Sequence, residues 1–258
     1  MTDQEILQRI GSKGFPLRPS SLPSLMTCQR LWMDERKMEF EQIAKIKKAA
    51  DTGSAVHKAI QAWHNLGDHQ AALQVMEANI ASYPDADLND ARLSFRPYYE
   101  DERNKIFAPN IITETEVSLQ TKEGVWIAGT LDQLRKDNGD KKWYLFDVKT
   151  GKEEGWKYLH VHSYQFAAYV LAARHSLGLD VVPGGLICTY GYRRRNSTES
   201  NGVFQEYQRR LTLQKCQDLV DQVVKKFLEL RQAAKPETLQ GGHCLFCDRK
   251  FFQCLEGE

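Results

Sequence analysis

Asp147 and Lys149 stand two residues apart in the apolar stretch that begins at Trp143. If that stretch is a strand, both side chains leave one face of the sheet, while Phe146 and Val148 leave the other. Asp132 lies near the end of the preceding β-forming stretch, directly after Gly129-Thr130-Leu131. Two carboxylates and an ammonium gathered on neighbouring strands have a definite use. The aspartates can hold a hard divalent cation through oxygen, as magnesium or manganese prefers. The main-chain carbonyl of Val148 would point into the same site as a further oxygen ligand. Such a cation polarises a phosphodiester oxygen and acidifies a bound water. Lys149 would then orient that water or offset charge developing on the phosphate. Taken alone, Asp147-Val148-Lys149 also reads as an ordinary surface ion pair.

Other residues bear on that choice. Glu116 lies on the preceding strand, among Thr113, Thr115 and Val117. It could be an outer carboxylate or help hold a second metal, and Glu114, two residues away on the same strand face, could be the relevant one instead. Gln165 and Tyr169 are four apart on the following helix, so they share a face, as helix packing alone would also allow. His57 lies on an earlier helix beside Gly53 and Ser54; by itself it reads as a hydrogen-bonded core histidine.

A second constellation is made of thiols. Cys244 and Cys247 form a C-x-x-C pair, and Cys254 follows after six residues. A tetrahedral metal or a cubane cluster wants four ligands, and Cys28, far upstream, is the fourth candidate. Zinc and an iron–sulfur cluster both suit four thiolates. Structural disulfides are rare in the cytosol, where clustered cysteines point to metal or redox chemistry. Cys188 and Cys216 lie on apolar elements and read as buried thiols.

Taken in order, these segments resemble a known family. Glu116, Gly129-Thr130-Leu131-Asp132, Asp147-Val148-Lys149-Thr150-Gly151 and Gln165-Phe166-Ala167-Ala168-Tyr169 are similar to the motif series of RecB-like PD-(D/E)XK nucleases. Gly53-Ser54-Ala55-Val56-His57 resembles that family's upstream histidine motif. The resemblance implies that His57, Asp132 and Asp147 ligate the metal and that Lys149 is catalytic. It implies that Gln165 and Tyr169 shape the site and contact DNA. The segment from Leu22 to Trp32 is similar to the first-cysteine region of iron–sulfur nucleases related to AddB and to CRISPR-associated RecB-like exonucleases. That resemblance implies a 4Fe-4S cluster on Cys28, Cys244, Cys247 and Cys254, with a structural role. The last spacing is six residues here where those families usually have five.

These residues require elements to hold them. Ser20 or Ser21 caps a predicted helix running through Leu25, Cys28, Leu31 and Trp32, and Thr52-Gly53-Ser54 opens another that carries His57. Two more helices are expected between about 70 and 107, broken near Tyr83-Pro84-Asp85. Three strands follow, at 111–119, 125–134 and 143–148, with Asp137-Asn138-Gly139-Asp140 as a turn. A helix over 161–177, strands over 184–192 and 203–210 and a long amphipathic helix over 212–234 complete the pattern. The expected fold is α/β, a central mixed sheet flanked by helices, restriction-endonuclease-like. Its parts are an N-terminal helix and linker (1–19), a helical region (20–110), the nuclease core (111–240) and a cysteine tail (241–258).

The chain has 258 residues, 27% of them charged, and a formal net charge of +1. No apolar run approaches the roughly 18 residues that span a bilayer, and the N-terminal segment has no apolar core of an export signal. The expectation is a cytoplasmic protein with no membrane partner. With so little net charge, a DNA partner needs local basic groups; candidates are Lys45, Lys47 and Lys48 and the run Arg193 to Arg195. Trp156, Tyr158 and Tyr169 could stack on single-stranded bases. The expected activity is magnesium- or manganese-dependent DNA cleavage, as an exonuclease on single-stranded or free ends. No helicase P-loop occurs, so unwinding would come from a helicase or another recombination or CRISPR protein. The alternative is a nuclease-derived module that binds DNA ends or partner proteins in a repair, recombination or CRISPR adaptation complex.

Overall fold

The computed structural model describes residues 2–40, 48–82, 87–150, 159–193, 200–208 and 211–233. Cys244, Cys247, Cys254, Trp156, Tyr158, Lys45, Lys47, Arg194 and Arg195 lie outside them. Helices α1 (Asp3–Arg9), α2 (Leu22–Thr27), α3 (Gln29–Phe40), α4 (Lys48–Leu66), α5 (His69–Ile80) and α6 (Leu88–Glu100) come first. Strands β1 (Ile111–Gln120), β2 (Trp126–Lys136) and β3 (Trp143–Lys149) follow, then α7 (Leu159–Leu177), β4 (Val181–Arg193), β5 (Ser200–Gln208) and α8 (Leu213–Gln232). No helix among the described residues is long and apolar enough to cross a membrane.

The strands form one mixed sheet in the order β1-β2-β3-β4-β5. Only β3 and β4 run parallel among its neighbouring pairs. A parallel pair needs a crossover, and α7 supplies it. Helices α1, α2, α3, α7 and α8 pack on one face, around Leu22, Trp32, Phe166 and Phe227. Helices α4, α5 and α6 cover the other, where Val56, Met76, Phe95 and Tyr98 meet Val148 and Ile187. Trp32 and Phe227 are fully buried and meet edge to face at 6.1 Å; burying each side chain contributes about 1.5–3 kcal/mol.

Three local departures from the sequence pattern matter. The helix expected from Ser20 through Trp32 is two helices, because Cys28 is extended (φ −153°, ψ 109°) and ends α2. Strand β4 begins at Val181, ahead of the Pro183-Gly184 pair that reads as a breaker. There Leu145 pairs with Pro183 and Phe146 with Gly185, so Gly184 is the extra residue of a bulge. A side chain at 184 would put its Cβ 2.6 Å from the Leu145 carbonyl oxygen, so only glycine fits.

The third departure is a kink shared by β1 and β2. Leu131 and Leu134 lie in the same cluster although three apart, and so do Ile112 and Val117 although five apart. Strict alternation would send each pair to opposite faces. Both strands therefore change phase between those positions. Glu114 sits there with φ 48°, a left-handed backbone that costs a non-glycine residue about 1 kcal/mol or more. Paired residues flank it, Thr113 with Gln133 and Thr115 with Leu131, while Glu114 and Asp132 are skipped.

Candidate functional site

Elements from both helical layers meet the sheet at the kink. Helix α4 brings His57, the kinked strands bring Glu114 and Asp132, the end of β3 brings Asp147, Val148 and Lys149, and α7 brings Gln165 and Tyr169. All line one cleft of about 540 Å³. Gly53 faces the residue that follows β3: a Cβ there would lie 2.6 Å from the Thr150 hydroxyl oxygen, which would have to turn away.

His57 Nδ1 is 3.3 Å from Glu114 Oε1 and 3.5 Å from Asp132 Oδ1. One ligand atom from each of His57, Glu114 and Asp132 lies within 4.8 Å of the others, close enough for all three to hold a single ion. The second oxygen of Asp132 accepts the Val148 N–H at 2.6 Å, so the β3 backbone fixes that carboxylate. Asp147 is buried. Its Oδ1 accepts from Gln165 Nε2 at 2.7 Å, and its Oδ2 lies 2.8 Å from Lys149 Nζ. That ion-pair contact is not aligned as a hydrogen bond, which leaves Oδ2 a buried oxygen without an aligned donor. On α7, His162 Nδ1 is 3.3 Å from Gln165 Oε1. With a proton on Nδ1, His162 would hold the amide from behind while Gln165 donates to Asp147.

The electrostatics follow from crowding carboxylates away from water. Burial pushes the Asp132 carboxyl up to about 6; Asp147 adds to the shift and His57 opposes it. Burial alone would lower His57, but Asp132 and Glu114 outweigh it and raise its pKa. Lys149 is likewise raised, because Asp147 and Asp132 more than offset its desolvation. The Tyr169 phenol is pushed up by burial and then by Asp132 and Asp147, so it stays protonated. His57, Asp132, Lys149 and Tyr169 are all pushed towards their protonated forms, the mark of a cleft short of positive charge and of water. Oxygen donors of that kind, with one imidazole and a buried oxygen lacking an aligned donor, suit a hard divalent cation.

Not every expected residue enters this group. Glu116 is exposed and lines an adjoining cleft with Arg18 and Tyr169. Glu114 is the β1 carboxylate beside His57. The left-handed turn at 114 breaks the alternation that would have put Glu114 and Glu116 on one face. Asp147 is held by Gln165 and Lys149 and does not belong to the close triad of ligand atoms. Cys28 is buried at the α2–α3 break, and Cys188 and Cys216 are buried as well. Sequence reasoning passed over His162, one turn before Gln165, and Lys58, which lines the cleft next to His57. The three-residue offset of His162 from Gln165 was the available signal; Lys58, adjacent to His57 on the helix, gave none.

A family model described as PD-(D/E)XK nuclease superfamily matches residues 16–252. Among solved structures, the chain is similar to the crystal structure of a "Putative exonuclease" from Eubacterium rectale. That alignment has a TM-score of 0.52 and 14% sequence identity, and covers 90% of this chain and 86% of the other. The crystal structure of SSO0001 aligns with a TM-score of 0.36 and 15% identity, over 83% of this chain and 90% of that one, too slight a likeness to carry an argument. No curated protein matches the chain.

Proposed function

The chain belongs to the PD-(D/E)XK nuclease superfamily, and from that premise we propose that it hydrolyses DNA phosphodiester bonds with magnesium or manganese, as an exonuclease on single-stranded ends in the cytoplasm. The observation that carries this reading is the meeting of His57, Glu114 and Asp132 within 4.8 Å, in the cleft that also holds Asp147 and Lys149. His57, Glu114 and Asp132 would hold the cation, with Asp147 and the Val148 carbonyl as further oxygen donors. When bound, the ion supplies Lewis-acid polarisation of the phosphate and a more acidic water.

The protein's own groups do the rest. The Val148 N–H keeps Asp132 Oδ2 occupied, so Oδ1 faces His57. Gln165 holds one oxygen of Asp147 and leaves the other to Lys149. Lys149 keeps its proton at neutral pH, so its ammonium can donate to the attacking water or stand against charge growing on the phosphate. Tyr169, protonated throughout, can donate to a phosphate oxygen or offer its ring to a base.

We also propose the iron–sulfur cluster on Cys28, Cys244, Cys247 and Cys254, as a tie between the α2–α3 break and the C-terminal tail. Its support is the ligand spacing and the family likeness. A partner helicase or other recombination or CRISPR protein would supply single strands. Purified without oxygen, the protein should be brown, and a Cys247→Ala variant should be bleached and less stable. Zinc in a colourless wild type would replace iron in this account. Cleavage is tested with end-labelled single- and double-stranded DNA. Products should appear with magnesium or manganese, start from single-stranded ends and vanish with EDTA. Intact DNA under all conditions would contradict the reading and favour a binding module.

A further inference from the structure

The catalytic cleft continues into a second one. That neighbour, of about 730 Å³, is lined by Arg18, Glu116 and Ser118, and it shares Ser20, Thr130 and Tyr169 with the first. Gly129 lines it too; a Cβ there would sit 3.0 Å from Pro19 and 3.4 Å from the Tyr169 hydroxyl, so the missing side chain leaves the junction open. Among the described residues that line this cleft, Arg18 is the one cation. Its side chain is exposed, but its backbone is not loose. The Leu17 N–H donates to the Trp126 carbonyl at 2.8 Å, and the Leu17 carbonyl accepts from Ala128 at 3.0 Å. Residue 18 is therefore docked along β2, immediately before the 3-10 turn Pro19–Ser21.

A polymeric substrate cut in the first cleft must leave it on at least one side. The second cleft offers that path a guanidinium, which grips phosphate with paired donors, along with hydroxyls from Ser20, Ser118 and Thr130. Glu116 lines the same space and would repel phosphate, which leaves Arg18 as the charged lining group that attracts it.

We infer that the second cleft holds the nucleotide flanking the cleaved bond, with Arg18 binding its phosphate and so setting the register of the strand across the catalytic cleft. This rests on the phosphodiesterase reading above, and the test separates the two. Wild type, Arg18→Ala and Arg18→Lys are compared on a single-stranded oligonucleotide and on thymidine 5′-(p-nitrophenyl phosphate), which fills the first cleft alone. Binding of a fluorescent oligonucleotide is measured in EDTA at several salt concentrations, and the melting temperature of each protein is recorded.

Arg18→Ala should lose about tenfold or more in kcat/KM on the oligonucleotide, mainly through KM, as one charge-assisted contact predicts. It should keep its activity on the small ester and its melting temperature. Its binding should weaken, and the slope of log affinity against log salt should flatten by about 0.7, the share of one phosphate contact on a single strand. Arg18→Lys should keep the slope and recover part of the affinity. Unchanged oligonucleotide binding and salt slope in Arg18→Ala would overturn the inference, as would equal losses on both substrates. If wild type cleaves neither substrate, the phosphodiesterase reading fails, while the metal-free binding measurement still decides for or against Arg18.

Discussion

Lys149 and Asp147 show how two residues on one strand face become a device. Each is costly to bury alone; at 2.8 Å the Asp147 carboxylate helps hold Lys149 as an ammonium. Lys149→Ala should remove cleavage while preserving the fold and most DNA binding; full activity in that variant would take the lysine out of the mechanism. Glu114 and Glu116 make a sharper contrast, being chemically identical and two residues apart. Titration with manganese should show Glu114→Gln binding more weakly by over about tenfold, the scale at which even outer partners of a metal act. Glu116→Gln should bind like wild type. Equal losses in the two variants would mean that the triad at His57 is not the metal site. The sequence offered both glutamates and named Glu116 first, because alternation makes them equivalent. What separates them is one left-handed backbone angle, which residue types do not announce.

At the scale of elements, the order and spans of the strands and the amphipathic helices were legible, since periodicity follows burial. Reading failed at backbone irregularities, the extended Cys28, the Gly184 bulge and the Glu114 kink, and at element ends: α4 begins at Lys48 instead of Thr52, and β5 spans Ser200–Gln208 instead of 203–210. Gly184→Ala should cost about 1–3 kcal/mol, as overpacking does, because a Cβ there meets the Leu145 carbonyl two residues before Asp147. Urea unfolding checks it; an unchanged midpoint would mean that β3 and β4 can part without strain. A buried network also ties α4 and α6 to the sheet. His64 reaches the Ile106 carbonyl at 2.6 Å and the Tyr98 hydroxyl at 2.7 Å, and Gln133 donates to that hydroxyl at 2.9 Å. Burial lowers the His64 pKa to about 4. Below about pH 6.5 the unfolded chain takes up a proton that folded His64 refuses, so stability falls as pH drops towards 4. Asp132, raised to about 6, pulls the opposite way in metal-free protein. The clean measurement is therefore a difference: between pH 7 and pH 5, wild type should lose about 2 kcal/mol relative to His64→Asn. Parallel pH profiles of the two proteins would contradict the assignment.

For the whole molecule, the site belongs to neither apolar cluster alone. His57 comes from the helical layer on one face, Gln165 and Tyr169 from the layer on the other, and the kink lets Glu114 and Asp132 meet them at the sheet. Residues more than a hundred positions apart must therefore fold together before any ion can be held. The family likeness made that meeting legible, because it puts distant motifs in one site; composition alone, with a net charge of +1, did not point to DNA. The most direct measurement is cleavage of an end-labelled single strand in manganese by wild type and by Asp132→Asn, with DNA binding followed in parallel. The account predicts metal-dependent products from wild type, none from the variant, and binding by both. Products from Asp132→Asn at the wild-type rate would contradict it.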